Sequence, residues 1–376
     1  MVSACTANEV VSTSFDVNFN GRVLVIGAGA AGLTAGHALK QHNIDFTILE
    51  AADRYGGRVK AVTDFADVPL DVGAEWIHTD PSILATLLND SSVEAEIDII
   101  TYRPETISSW QSGKLRQRNF FSNFYSEYKF KNTTWFSFFD RYIVPGIQDR
   151  LVLNSPVQEI DYTTNIVRVI TTHGQVYEAD RVIVTVPLTM LQNDSITFRP
   201  VLPAEKRTAI NEVPMPDGIK VFMAFSERFY PDLLVFDGIS GALGSTDGER
   251  LYYDAAFRKG STANLFALFA VGEPASVYAN MATEAELMAY ILGELDEIFD
   301  GQASQYYRKH VIQNWSKEPY IQGSYSHYPN YDSHDVIQAP VASKVYFAGE
   351  AYAESDATVH GAAESAYVAV QAIVSG

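Results

Sequence analysis

A glycine triplet near the N-terminus is the first candidate for chemistry. Gly27-Ala28-Gly29-Ala30-Ala31-Gly32 follows the apolar run Arg22-Val23-Leu24-Val25-Ile26 and leads into Leu33-Thr34-Ala35-Gly36-His37-Ala38-Leu39-Lys40. A glycine in the first place permits a tight turn after a strand. One in the second lets backbone N–H groups approach a pyrophosphate, and one in the third lets helix and strand pack closely. The helix that starts there turns its partial positive charge toward the diphosphate. Glu50 ends the next strand-like run, where a carboxylate can accept hydrogen bonds from ribose hydroxyls. Strand, glycines, helix and acid in this order indicate a dinucleotide site rather than a glycine-rich structural turn. Arg54-Tyr55-Gly56-Gly57-Arg58 then puts backbone and guanidinium groups near a second set of cofactor oxygens. Much further on, Lys220 sits among the apolar Ile219, Val221, Phe222 and Met223. A lysine on such a strand is commonly solvated. If buried, its pKa falls through desolvation, which suits proton or oxygen chemistry.

These residues need a scaffold. Arg22–Ile26, the helix after it and Asp45–Leu49 read as a βαβ unit. The stretch from Pro81 to Gly146 is less regular and crowded with aromatics: Phe120, Phe121, Phe124, Tyr125, Tyr128, Phe130, Trp135, Phe136, Phe138 and Phe139. They fit a compact core or an exposed docking patch, and the core is the preferred reading. From Leu151 the pattern turns to β, with a meander up to Val184-Thr185-Val186-Pro187 and a further strand from Gly218 to Phe225. Residues 283–299 have helical periodicity, Tyr346-Phe347-Ala348-Gly349 reads as a short strand, and a helix of small residues closes the chain from about Val359 to Val374. There are no internal repeats and no low-complexity linker, so the domains should be interleaved. The expected division is a leader at 1–20, one domain from 21–79, 146–208 and 318–376, and a second from 80–145 and 209–317.

Composition narrows the function. The 376 residues are 47% apolar and 19% charged, ordinary for a globular protein. Acidic residues outnumber basic ones 46 to 27, a formal charge of −19 that repels phosphate backbones and attracts small cations. A nucleic-acid partner is therefore not expected. No run of 18 apolar residues marks a transmembrane helix. Cys5 is the single cysteine, so there is no internal disulfide and no cysteine-based metal site, and no metal is expected. Val2-Ser3-Ala4-Cys5 resembles the end of a bacterial lipoprotein signal, without the apolar core that should precede it. Localisation stays open between a soluble cytoplasmic protein and a periplasmic lipoprotein, and the oligomeric state is unknown.

The next segment, Asp71-Val72-Gly73-Ala74-Glu75-Trp76-Ile77-His78, is where the chain resembles the flavin-containing amine oxidase family, which includes monoamine and polyamine oxidases and flavin histone demethylases. The resemblance continues at Asn154-Ser155-Pro156-Val157, at Asp180 to Leu188, and at Gly218-Ile219-Lys220-Val221. It returns at Asn314-Trp315, Gly323-Ser324-Tyr325, Phe347-Ala348-Gly349-Glu350 and Thr358-Val359-His360-Gly361-Ala362. It implies an α/β fold: a Rossmann-like FAD-binding domain interleaved with a smaller mixed-sheet α+β substrate domain. The implied cofactor contacts come early from Gly27, Gly29, Ala31, Gly32, Glu50, Ala51 and Arg58, then from Gly73, Ala74, Glu75 and Trp76. Val157 and Pro187 supply the middle ones. Trp315, Gly349, Glu350, Thr358, Val359 and Ala362 supply the late ones.

By the same resemblance Lys220, Trp315, Tyr325 and His78 face the substrate. Lys220 would hold a water at flavin N5, and Trp315 and Tyr325 would wall the amine by dispersion and cation–π contact. His78 is open between substrate contact and a structural role. Glu75 is open between binding a cationic substrate, a supporting carboxylate and a solvent-exposed one. The final helix would aim its N-terminus at the flavin N1–C2 region. Thr358 stands where many relatives have a second cage tyrosine, leaving one wall more open. Ser324 stands where some carry a cysteine bonded to the flavin, so the FAD should be non-covalent. The implied reaction passes hydride from the α-carbon of a small amine to flavin N5. The imine hydrolyses to a carbonyl, and O2 reoxidises the flavin to give hydrogen peroxide. Only 72 residues separate His78 from Leu151, fewer than the family usually has, so the substrate domain is reduced. Alternatives are an FAD-dependent desaturase or isomerase on an apolar substrate, and a non-catalytic flavin-binding subunit.

Overall fold

A computed structural model describes residues 16–117, 127–236, 248–328 and 333–375. Its centre is a five-stranded, all-parallel sheet in the order Leu151–Val152, Asp45–Leu49, Arg22–Ile26, Arg181–Val184 and Val345–Phe347. Val23, Leu24, Val25 and Ile26 are all buried, as a strand covered on both faces requires. On one face lie the helix Ala30–Gln41, the final helix Val359–Val374, and Trp135, Phe138 and Phe139. Gly36 permits the closest approach there, since a Cβ on it would come within 2.6 Å of Ile48 Cδ1. On the other face lie the antiparallel meander Val157–Asp161, Val167–Thr171 and Val176–Ala179, extended by Thr197–Arg199 parallel to its first strand, with the helices Leu188–Gln192 and Ala204–Glu212.

A second, mixed sheet of seven strands runs Tyr307–Asn314, Gly218–Phe225, Asn264–Gly272, Gly248–Asp254, Leu233–Phe236, Ile107–Gln111 and Lys114–Gln117. The helices Glu273–Ala279 and Glu284–Ile298 cover one face. Phe65, Leu70, Val72, Tyr102 and Phe257 cover the other. A small antiparallel sheet joins Trp76–Ile77, Glu127–Phe130 and Ile99–Tyr102, with Trp76 opposite Lys129. The fold is thus the expected pairing of a Rossmann-like parallel sheet with a mixed sheet.

One local expectation changes. The leader was expected to run to residue 20. Instead the Asn18 and Phe19 N–H groups donate to Val374 O at 2.7 and 3.2 Å, fastening that stretch to the end of the final helix. Cys5 and the segment around it lie outside the described residues, as do Phe120, Phe121, Phe124 and Tyr125. Of the other aromatics, Phe130, Trp135, Phe138 and Phe139 are core, and Phe136 stacks on Tyr55 at 5.6 Å.

Candidate active site

The glycine loop is built as its spacing demands. Gly27 takes φ +105° and donates its N–H to Leu49 O at 2.8 Å. A Cβ on Gly32 would lie 1.9 Å from Gly27 O, so the third glycine serves packing. At Gly29 a Cβ would meet nothing within 4 Å, and this residue lines a large cavity. Glu50 accepts from the N–H groups of Ala28 at 2.6 Å and Ala52 at 2.8 Å. A carboxylate has about four acceptor sites, so two remain. Ala31, Ala51, Val157 and Pro187 line the same cavity.

Arg58 ties early and late segments together. Its Nη1 donates to Ser324 O and to Glu350 Oε1, both at 2.8 Å. Glu350 also accepts from Ser326 Oγ at 2.5 Å and from the Ala357 N–H at 3.1 Å. Its carboxylate is therefore largely occupied by protein donors. Gly73 is squeezed between backbone and ring: a Cβ there would lie 1.9 Å from Arg58 O and 3.0 Å from Trp315 Cζ2. Trp315 Nε1 donates to Val72 O at 3.2 Å.

Lys220 is buried and lines the cavity. Its Nζ donates to Asp71 O and Gly73 O at 3.0 Å each and to Glu75 Oε2 at 2.6 Å. All three ammonium protons are committed, so the expected water-holding role finds no free N–H here. Burial lowers the Lys220 pKa, and Glu75 opposes the fall. Glu75 is itself enclosed: Lys129 Nζ lies 2.5 Å from Oε1, and the Tyr253 hydroxyl donates to Oε2. Of the readings open for Glu75, the solvent-exposed one is overturned, because both its oxygens are spent on buried partners.

Tyr325, His78, Ala74 and Trp76 line the cavity too, with Gly349, Thr358, Val359 and Ala362. Thr358 caps the final helix by accepting from the Gly361 N–H. His78 Nδ1 lies 3.2 Å from Glu127 Oε2 at a half-exposed position. Tyr325 donates weakly to Glu249 Oε1 at 3.4 Å. Among the described residues no lysine or arginine pairs with Glu249, and burial pushes its carboxyl up to about 7. His360 is pushed down to about 4, first by burial and then by repulsion from His78.

The cavity has a volume of about 1530 Å³. This exceeds the ~300–1,000 Å³ typical of small-molecule pockets. It brings together every residue expected at the site except Gly32, which lies behind the loop. Sequence reasoning missed Lys129, Tyr253, Glu249 and Glu127. The one available signal was charge: Glu127-Tyr128-Lys129-Phe130 and Gly248-Glu249-Arg250-Leu251 carry ionisable residues inside β-rich stretches.

Comparison with known proteins gives the family. The chain belongs to the flavin containing amine oxidoreductases, whose family model matches residues 146–374, and an NAD(P)-binding Rossmann-like domain matches residues 25–90. Polyamine oxidase 7 of Oryza sativa subsp. japonica is 26% identical, over 91% of this chain and 92% of that protein. Lysine-specific histone demethylase 1B of Mus musculus is 25% identical over 88% of this chain, which spans half of the demethylase's length. Among solved structures, cyclohexylamine oxidase from Brevibacterium oxydans IH-35A superposes with a TM-score of 0.77 at 16% identity, covering 96% of this chain and 99% of that one. A redesigned putrescine oxidase gives 0.76 at 16% identity, covering 95% and 100%. These two likenesses concern the fold.

Proposed function

We propose that the protein is an FAD-dependent amine oxidase that holds its cofactor non-covalently and takes a small amine as substrate. The observation that carries this reading is the single cavity running from the Gly27–Gly32 loop to Lys220, Trp315 and Tyr325. The residues fit the group. Gly29 leaves its side of the loop open to the cavity, and Glu50 keeps acceptor capacity for ribose hydroxyls. The helix Ala30–Gln41 would face the diphosphate with its N-terminus, and the final helix would face the redox ring with its own. Ser324 has no thiol with which to form a thioether. When bound, FAD supplies the two-electron acceptor for oxidation of a C–N bond and passes the electrons to dioxygen.

The chain's own groups bind, orient and set charge. Trp315 and Tyr325 offer aromatic walls against which an amine can be held. Lys220 presents a fixed positive charge, immobilised by two carbonyls and Glu75, to the cavity. Glu249, part-buried beside a tyrosine hydroxyl and with no lysine or arginine partner among the described residues, suits a protonated nitrogen away from the reacting one. The test is anaerobic titration of the purified protein with a panel of amines and amino acids. The expected result is bleaching of the flavin absorbance by at least one amine. No bleaching by any of them would overturn the oxidase assignment.

A further inference from the structure

Lys220 belongs to a buried cluster larger than the proposed reaction uses. Lys129, Lys220 and Lys259 are 1, 2 and 4% exposed, and Asp71 and Glu75 are 2 and 3% exposed. Glu75 is shared: one oxygen faces Lys129 Nζ at 2.5 Å, and the other faces Lys220 Nζ at 2.6 Å. Asp71 Oδ1 accepts from the Trp135 N–H at 3.1 Å, and Lys259 Nζ donates to Pro69 O at 3.4 Å. Three ammonium groups thus meet two carboxyl groups. Counted over these five side chains, one positive charge is left over even with Asp71 ionised. Burial raises Asp71 to about 8 and lowers Lys259 to about 8, so at neutral pH both hold their protons and the surplus among these five stands, with Asp254 the next buried carboxyl felt by Lys129.

A buried charge in excess of its counter-charges is costly unless something else balances it. Aromatic faces help: Lys129 Nζ lies 5.2, 4.9 and 4.8 Å from the ring centroids of Trp76, Tyr102 and Tyr253. Of the five ionisable members, only Lys220 and Glu75 line the cavity, so the excess is felt there. Lys129 comes from the strand Glu127–Phe130, inside the shortened region, and sits opposite Trp76, the neighbour of Glu75.

We propose that Lys129 is a positioning residue that, by engaging half of Glu75, leaves Lys220 incompletely neutralised at the cavity wall and so favours electron uptake by the bound cofactor. Two electrons and one proton leave one negative charge on the cofactor, which the surplus balances. The inference rests on FAD being that cofactor.

The experiment measures the reduction potential of the holoprotein against a reference dye for wild type, Lys129→Gln and Lys129→Arg. Glutamine can still hydrogen-bond Glu75 but carries no charge. Its reduction equilibrium should be at least tenfold less favourable, about 30 mV for a two-electron couple. Arginine should stay within threefold of wild type. An unshifted Lys129→Gln overturns the proposal, and so does an arginine variant shifted as far as the glutamine one. If Lys129→Gln does not fold, the wild type decides through the slope of its potential with pH around pH 6. Uptake of one proton per two electrons supports the surplus charge, and two protons per two electrons refutes it. A wild-type protein that cannot be loaded with FAD would instead defeat the cofactor reading itself.

Discussion

Replacing Glu249 with glutamine should improve stability and damage function, and the two effects can be separated by pH. In the folded protein its carboxyl is raised to about 7 from an ordinary 4.5, with burial the largest cause and Glu127 adding to it. A raised carboxyl pKa means that the folded state binds the proton more tightly than the unfolded one. The cost is therefore absent below about pH 4.5, grows between 4.5 and 7, and is complete above 7. The full shift corresponds to about 3 kcal/mol. The side chain is partly open to the cavity, and solvent screening reduces the figure to about 1–2 kcal/mol. The apoprotein of Glu249→Gln should accordingly resist urea better than wild type by that amount at pH 8 and equally at pH 4.5. A substrate with a permanently charged quaternary ammonium at its far end keeps amine titration at that end out of the comparison. Losing a charged hydrogen-bond partner worth about 1.5–3 kcal/mol lowers kcat/KM at pH 8 about 10- to 100-fold. The wild-type decline in kcat/KM below pH 7 that is due to Glu249 should vanish in the variant. A variant destabilised at pH 8, or one with unchanged kcat/KM for the charged substrate, would show that Glu249 is not an uncompensated carboxylate awaiting a cation.

Other substitutions probe the remainder of the site. Gly29→Ala adds a methyl that meets no protein atom, so apoprotein melting should be unchanged while FAD affinity, followed by fluorescence quenching, falls at least tenfold. Gly32→Ala places its methyl 1.9 Å from Gly27 O and should lower both melting temperature and FAD affinity. If the two alanine variants behave alike, the separation of cradle from packing glycine is wrong. Lys220→Met should retain FAD while slowing turnover at least tenfold in stopped-flow traces, and unchanged kinetics would remove its role.

Legibility in the sequence followed the range of the interactions. The buried strand Arg22–Ile26, the glycine loop and the final helix are local patterns, and each appears within a few residues of its expected place. The cluster around Glu75 is not local. Lys129 reaches it only because Glu127–Phe130 pairs with Trp76–Ile77, across a stretch in which aromatic crowding masked one inward-facing lysine. Glu249 escaped notice for a related reason: beside Gly248 and Arg250 it reads as a solvated strand end, whereas its strand lies inside the seven-stranded sheet. Lys220 stands out through the resemblance of Gly218-Ile219-Lys220-Val221 to the family's strand, but its partners were invisible. Asp71 and Gly73 contribute carbonyl oxygens, a property their residue types do not advertise.

The helix Ala30–Gln41 and the helix that covers it, Val359–Val374, are far apart along the chain. During vectorial synthesis the first emerges more than three hundred residues before the second. At about 5–20 residues per second this gap lasts on the order of tens of seconds. Throughout that interval the face of the first helix that packs on the last has no cover, an apolar surface of the kind that holding chaperones bind.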